Sequence, residues 1–265
     1  MDRRKFLSIA AGSATLGLTL SNPLTKFAMA ATSRPKIKAI VFDAFPIFDP
    51  RPIFGLTKSL YPQQGHALGK LWFTKIFGYS WLRTSGHHYK DFHSIIDDAL
   101  AYSADKLKLD LTPENHKKLM DVWLTLGVWP DVKPALQQLK NQGIRLGFLS
   151  NMTEDMLRTN AQNSNIEDLF EFYLSTDRAQ AFKPDPTAYQ MGINAFKLPK
   201  ENIAFVAFAG WDASGANWFG YPTVWVNRLN AQAENLDTNI AHNGKDMSVL
   251  LDFVKNKPVK KHQSL

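Results

Sequence analysis

The stretch Ile37-Lys38-Ala39-Ile40-Val41-Phe42-Asp43-Ala44-Phe45 decides the fold. A run of β-forming residues ends abruptly on one carboxylate, and Pro46 bars the strand from continuing. In an open α/β sheet, a polar residue at the carboxyl end of a buried strand points into the crevice where ligands bind. Asp43 is therefore the candidate nucleophile.

Outward from this strand the pattern changes. Phe48-Asp49-Pro50-Arg51-Pro52 is a proline-rich exit from the sheet, and from about Ile53 to Trp129 the spacing is helical. Leu71, Trp72, Lys75, Tyr79 and Leu82 predict one helix face; Phe92, Ile95, Ile96, Ala99 and Leu100 predict another. Thr112-Pro113 reads as an N-cap with proline at the first helical position. Strand–helix alternation then resumes. Strands are predicted over 144–149, 172–175, 203–208 and 223–226, and helices over 134–141, 153–163, 186–196 and 213–219. This alternation predicts an α/β fold: a Rossmann-like parallel sheet with helices on both faces and an inserted all-helical cap. The core would comprise 36–50 and 130–254, the cap 51–129, and a short basic tail 255–265.

Composition narrows the chemistry. The chain has 265 residues and no cysteine, which excludes disulfides, thiolate metal sites and cysteine nucleophiles. The net charge of +7 sits wholly in the two ends, leaving 31–254 formally neutral. A neutral body with basic ends does not suit a nucleic-acid binder, which concentrates charge on a folded face. None of the seven histidines shows zinc-ligand spacing with acidic partners, and His87-His88 reads as part of a solvated loop.

The first thirty residues read as an address. Arg3-Arg4-Lys5-Phe6-Leu7 precedes a small and apolar stretch from Ile9 to Leu20, and Ala28-Met29-Ala30 fits a cleavage site. This resembles a twin-arginine signal peptide and predicts a bacterial periplasmic protein. The apolar stretch is well short of the ~20 residues that span a bilayer, so no stable membrane anchor is expected.

Four features fall where strands end or loops return: Asp43, Ser150-Asn151, Lys183-Pro184-Asp185 and Asp212. Taken singly, each has an ordinary reading as a cap, a turn or a solvated lysine. Together, with the quoted Val41–Phe45, Leu149–Asn151, Phe182–Tyr189 and Trp211–Ala216 segments, they resemble the haloacid dehalogenase superfamily, specifically the L-2-haloacid dehalogenases. The resemblance runs from about Lys36 to Asn230.

The resemblance implies a cofactor-free and metal-free hydrolytic dehalogenase of the (S)-2-haloacid type. Asp43 would displace halide and form an ester that water then hydrolyses. Lys183 would hold Asp43 ionised, and Asp212 would position that lysine or help activate water. Ser150 and Asn151 would receive the substrate carboxylate or halide, Phe92 and Trp211 would wall the halide, and Tyr189 would support the lysine–carboxylate network on the substrate side. A homodimer is also implied. Phosphatases of the superfamily carry a second aspartate two residues after the nucleophile; Phe45 stands there and cannot transfer a proton. Four positions that are polar in the dehalogenases are apolar here: Ile47, Phe73 (their cap arginine), Ala207 and Ala209. Arg51 or Lys75 could replace the missing charge. The competing expectations are a related hydrolase acting on another electrophile, such as a phosphate ester, and a catalytically weak small-acid-binding protein.

Overall fold

The central strand is β1, Ala39–Phe42, and all four of its residues are buried. Burial on both faces marks the middle of a parallel sheet, and alternation divides its side chains between two layers. Ile40 and Phe42 enter one apolar layer, and Ala39 and Val41 enter the other. The computed structural model describes residues 36–255. The predicted signal peptide and the basic tail beyond Lys255 lie outside them.

Five further strands complete the sheet: β2 (Arg145–Ser150), β3 (Phe172–Ser175), β4 (Ile203–Ala207), β5 (Thr223–Val226) and β6 (His242–Gly244). Their order is β3-β2-β1-β4-β5-β6 and every pairing is parallel. Phe42 lies level with Phe148 on one side and Val206 on the other. Connections leave in opposite directions from β1, so a crevice opens at the carboxyl ends of β1 and β4. Asp43 emerges there, its N–H held by the Val206 carbonyl at 3.0 Å.

Helices cover both faces. α5 (Val132–Asn141), α6 (Glu154–Asn163) and α9 (Ser248–Val254) pack on the layer of Ile40 and Phe42. α7 (Pro186–Phe196) and α8 (Gly210–Phe219) pack on the opposite layer. Strand β6 and helix α9 were not foreseen, and α8 starts three residues before its predicted position.

Between β1 and β2 the chain is helical: α1 (Arg51–Leu60), α2 (Gly65–Ser85), α3 (Phe92–Lys106) and α4 (Pro113–Asp121), then a short 3-10 turn at Val122–Leu124. Its two stems run antiparallel, joined by the Phe48–Val128 bridge and by Asp49 N–H to Gly127 O at 2.8 Å. The α3 face is as expected, and Thr112 caps α4 by accepting from Asn115 N–H. The α2 face is not. Leu68, Trp72, Ile76 and Ser80 are buried, whereas Leu82 is exposed. The insertion and one sheet face share a continuous apolar core. Among the described residues no helix is long and apolar enough to cross a membrane.

Candidate active site

Three strand ends and one loop meet at the crevice. Asp43 follows β1, Ser150-Asn151 ends β2, and Asp212 lies in the first turn of α8 beyond β4. Lys183 comes from the loop before α7, where Asp185 caps the helix through Thr187 N–H and Pro186 takes its first turn. The Lys183–Pro184 peptide is cis.

The Lys183 ammonium bridges both carboxylates, 2.8 Å from Asp43 Oδ1 and 2.6 Å from Asp212 Oδ2. Its side chain is 1 % exposed, so these contacts lie away from bulk water. Burial alone would lower the lysine pKa; the charges of Asp212 and Asp43 and their hydrogen bonds outweigh it and hold the value above that of ordinary lysine. Burial pushes the Asp212 carboxyl up to about 6 against the pull of Lys183, and the charge of Asp43 adds to the rise. Tyr189 donates to Asp212 Oδ1 at 2.7 Å, and burial first, then the charge of Asp212, raises its phenol well above the usual range. Gly215 makes this contact possible, since a Cβ there would stand 2.5 Å from the Tyr189 hydroxyl.

Asp43 is the most exposed member of the trio, its side chain 13% exposed against 2% for Asp212. Its Oδ2 accepts from Phe45 N–H at 3.2 Å, and Ser150 Oγ lies 3.5 Å from Oδ1. The facing cavity measures about 90 Å³ and is lined by Asp43, Ser150, Asn151 and Asp212 together with Phe45, Phe73, Phe77, Phe92, Met152, Phe208, Ala209 and Trp211. Asn151 accepts from Lys183 N–H at 3.1 Å through Oδ1, while its buried Nδ2 has no protein partner. An unpaired buried donor on a cavity wall is a place for an anion or a carbonyl oxygen.

The structure thus gathers Asp43, Lys183, Asp212, Ser150, Asn151, Phe92 and Trp211 as the sequence predicted. Tyr189 needs correction: it is fully buried behind Asp212 and does not line the cavity, so it acts through Asp212 and not against substrate. Neither candidate for the missing charge lies there. Arg51 is engaged by Asp49 at 2.6 Å, and Lys75 sits over the Tyr102 ring at 4.2 Å. Phe73 and Ala209 line the cavity, while Ile47 and Ala207 are buried in the two apolar layers.

Four contributors were missed. Phe77 reaches the cavity one helical turn beyond Phe73, a spacing visible in the sequence. Trp81 donates to the Lys183 carbonyl at 3.2 Å and ties α2 to the catalytic loop. Trp129 and Arg228 clamp the turn after Asp43. Trp129 Nε1 donates to the carbonyls of Phe45 and Phe48, and the Arg228 guanidinium donates to Pro46 O at 2.8 Å while pairing with Asp131.

The family described as haloacid dehalogenase-like hydrolase matches residues 18–220. The chain is 34% identical over 221 residues to the (S)-2-haloacid dehalogenase of Pseudomonas putida, covering 83% of this chain and 97% of that one. The crystal structure of an L-2-haloacid dehalogenase superposes with a TM-score of 0.80 at 38% identity, over 83% of this chain and 99% of the other. The L-2-haloacid dehalogenase of Xanthobacter autotrophicus with chloropropionic acid covalently bound gives a TM-score of 0.76 at 26% identity, over 83% and 98%.

Proposed function

The chain belongs to the haloacid dehalogenase-like hydrolases, and from that premise we propose that it hydrolyses the carbon–halogen bond of (S)-2-haloacids through an ester on Asp43. One Asp43 oxygen attacks the halogen-bearing carbon; the new C–O bond forms as the carbon–halogen bond breaks, and halide leaves with inversion. Water then adds to the Asp43 carboxyl carbon. Asp212 takes one water proton and returns it to the alkoxide oxygen as the acyl C–O bond breaks; the 2-hydroxy acid departs, and the remaining proton leaves Asp43 for solvent, restoring the carboxylate. An acid of pKa about 6 is well placed for that transfer near neutral pH. Lys183 orients Asp43 while its charge passes to the departing halide in the first step, and stabilises the charge that develops on the carboxyl oxygen as water adds in the second. Ser150 Oγ and Asn151 Nδ2 are the donors for substrate carboxylate and halide.

The observation that carries this reading is the single buried ammonium shared by Asp43 and Asp212. It bridges two carboxylates side by side at the edge of a space walled by aromatic rings. A phosphate-ester hydrolase would want a proton donor where Phe45 stands, and this ring packs 5.6 Å from that of Phe208.

Chloride release from (S)-2-chloropropanoate tests the reaction, and a single turnover in ¹⁸O-water tests the route. The ester mechanism puts the label into Asp43, and Asp43→Asn abolishes chloride release by three orders of magnitude or more. Label found only in the product after one turnover would mean direct attack by water. Phosphate release without chloride release would favour the phosphate-ester reading.

A further inference from the structure

Directly outside the catalytic cavity lies a second, larger hollow of about 550 Å³, formed where α2 meets the Lys183 loop and α8. Its walls include Trp81, Phe182, Pro184, Trp211, Trp218 and Leu236. Trp218 is 58% exposed, Trp81 41% and Leu236 36%, an apolar surface that ordinary folding leaves unaccounted for. Trp211 lines both spaces. Its ring meets Phe77 at 5.4 Å on the cavity side and Trp81 at 5.5 Å on the groove side. One indole thus forms a wall common to the catalytic cavity and the groove.

Two facts say what should occupy it. Small-molecule sites commonly measure ~300–1,000 Å³; the catalytic cavity alone falls below that range and the groove falls within it. Among the described residues lining the cavity no side chain is cationic, and Lys183 is engaged by two carboxylates. A small acid gains little there from charge. Affinity has to come from apolar contact made by a part of the substrate remote from the reacting carbon.

We propose that the groove holds an alkyl or arylalkyl substituent on the halogen-bearing carbon, which makes the enzyme selective for 2-haloacids with long apolar chains. This rests on the dehalogenase reading. Burying one methylene changes binding by about fourfold, so preference should climb steeply with chain length once the substituent passes Trp211.

The test compares kcat/KM for chloride release from (S)-2-chloropropanoate, 2-chlorohexanoate and 2-chloro-3-phenylpropanoate. It uses the wild type and the double variant Trp218→Ala, Leu236→Ser, two exposed positions outside the catalytic trio. The wild type should favour the longer acids by tenfold or more; the double variant should lose that preference and keep its rate on 2-chloropropanoate. A flat series in the wild type, or an unaltered series in the variant, overturns the proposal. If no acid releases chloride, the dehalogenase reading fails and calorimetry decides the groove. It stands if 3-phenylpropanoate binds the wild type at least tenfold tighter than propanoate and the variant does not discriminate, and falls if wild type and variant bind both alike. Should light scattering show that the variant changes only the oligomeric mass, the groove belongs to a second copy of the chain and the proposal falls.

Discussion

Asp43, Lys183 and Asp212 are joined by direct hydrogen bonds, so a proton gained by one is felt by all three. With both carboxylates ionised the trio carries one net negative charge; protonating Asp212 makes it neutral. Asp212 must be unprotonated to accept a proton from water, so kcat should fall as pH drops through about 6. The Tyr189 phenol favours the ionised form by its hydrogen bond. Tyr189→Phe removes that bond, and the acid limb of the kcat profile should move to higher pH with KM little changed. An unmoved limb would show that the phenol serves packing alone. The same geometry predicts indifference to divalent metal. An ion between Asp43 and Asp212 would meet the Lys183 ammonium, and the two cations repel. EDTA should leave chloride release unchanged, and added magnesium should not stimulate it. A magnesium-dependent rate would contradict the lysine-centred site.

At the scale of elements, the turn after β1 is kept in place by partners far along the chain. Arg228, its side chain 3% exposed, joins Pro46 to Asp131, whose other oxygen accepts from Met247 N–H ahead of α9. Burial would raise the Asp131 pKa, but the hydrogen bonds from Arg228 and Met247 hold it below the ordinary value. A depressed carboxyl stabilises the fold above its unfolded pKa, and that stability is lost as pH falls through the folded one. Arg228→Ala should cost about 2–3 kcal/mol in urea unfolding at neutral pH, and the gap to wild type should narrow below about pH 4. A gap independent of pH would place the loss in packing against Trp129. The sequence made some elements plain and concealed others for physical reasons. β1 and α7 announce themselves by a buried apolar run and by an Asp-Pro start. The α2 face was misread because this helix is apolar on several sides at once: Leu68, Trp72 and Ile76 are buried, while Phe73 and Phe77 turn to the cavity. β6 reads His242-Asn243-Gly244, with no β-former among its three residues; only its pairing with β5 makes it a strand. Asp43, Lys183 and Asp212 were legible together through the motifs around them that resemble the dehalogenases; singly, each had an ordinary reading as a cap or a solvated lysine. The aromatic lining and the Arg228 clamp depend on contacts between distant segments, which periodicity does not report.

For the whole molecule, the basic N-terminus carries an independent proposal, that the twin-arginine pair directs export. Replacing Arg3 and Arg4 together by lysine should retain the precursor in the cytoplasm, as cell fractionation would reveal. Normal periplasmic accumulation would dismiss that route. The order of the sheet has a further consequence for the chain as it is made. Its central strand, Ala39–Phe42, is the first synthesised, yet its neighbours begin at Arg145 and Ile203. At ~5–20 residues per second, a ribosome needs on the order of ten to thirty seconds to supply both flanks. Through that interval an apolar tetrapeptide waits with both edges bare, a template for stray pairing. Synthesis that stalls before Val206 leaves one edge permanently open, so truncated products should be aggregation-prone clients of chaperones and proteases, and the catalytic trio comes into being only when the ribosome has passed Asp212.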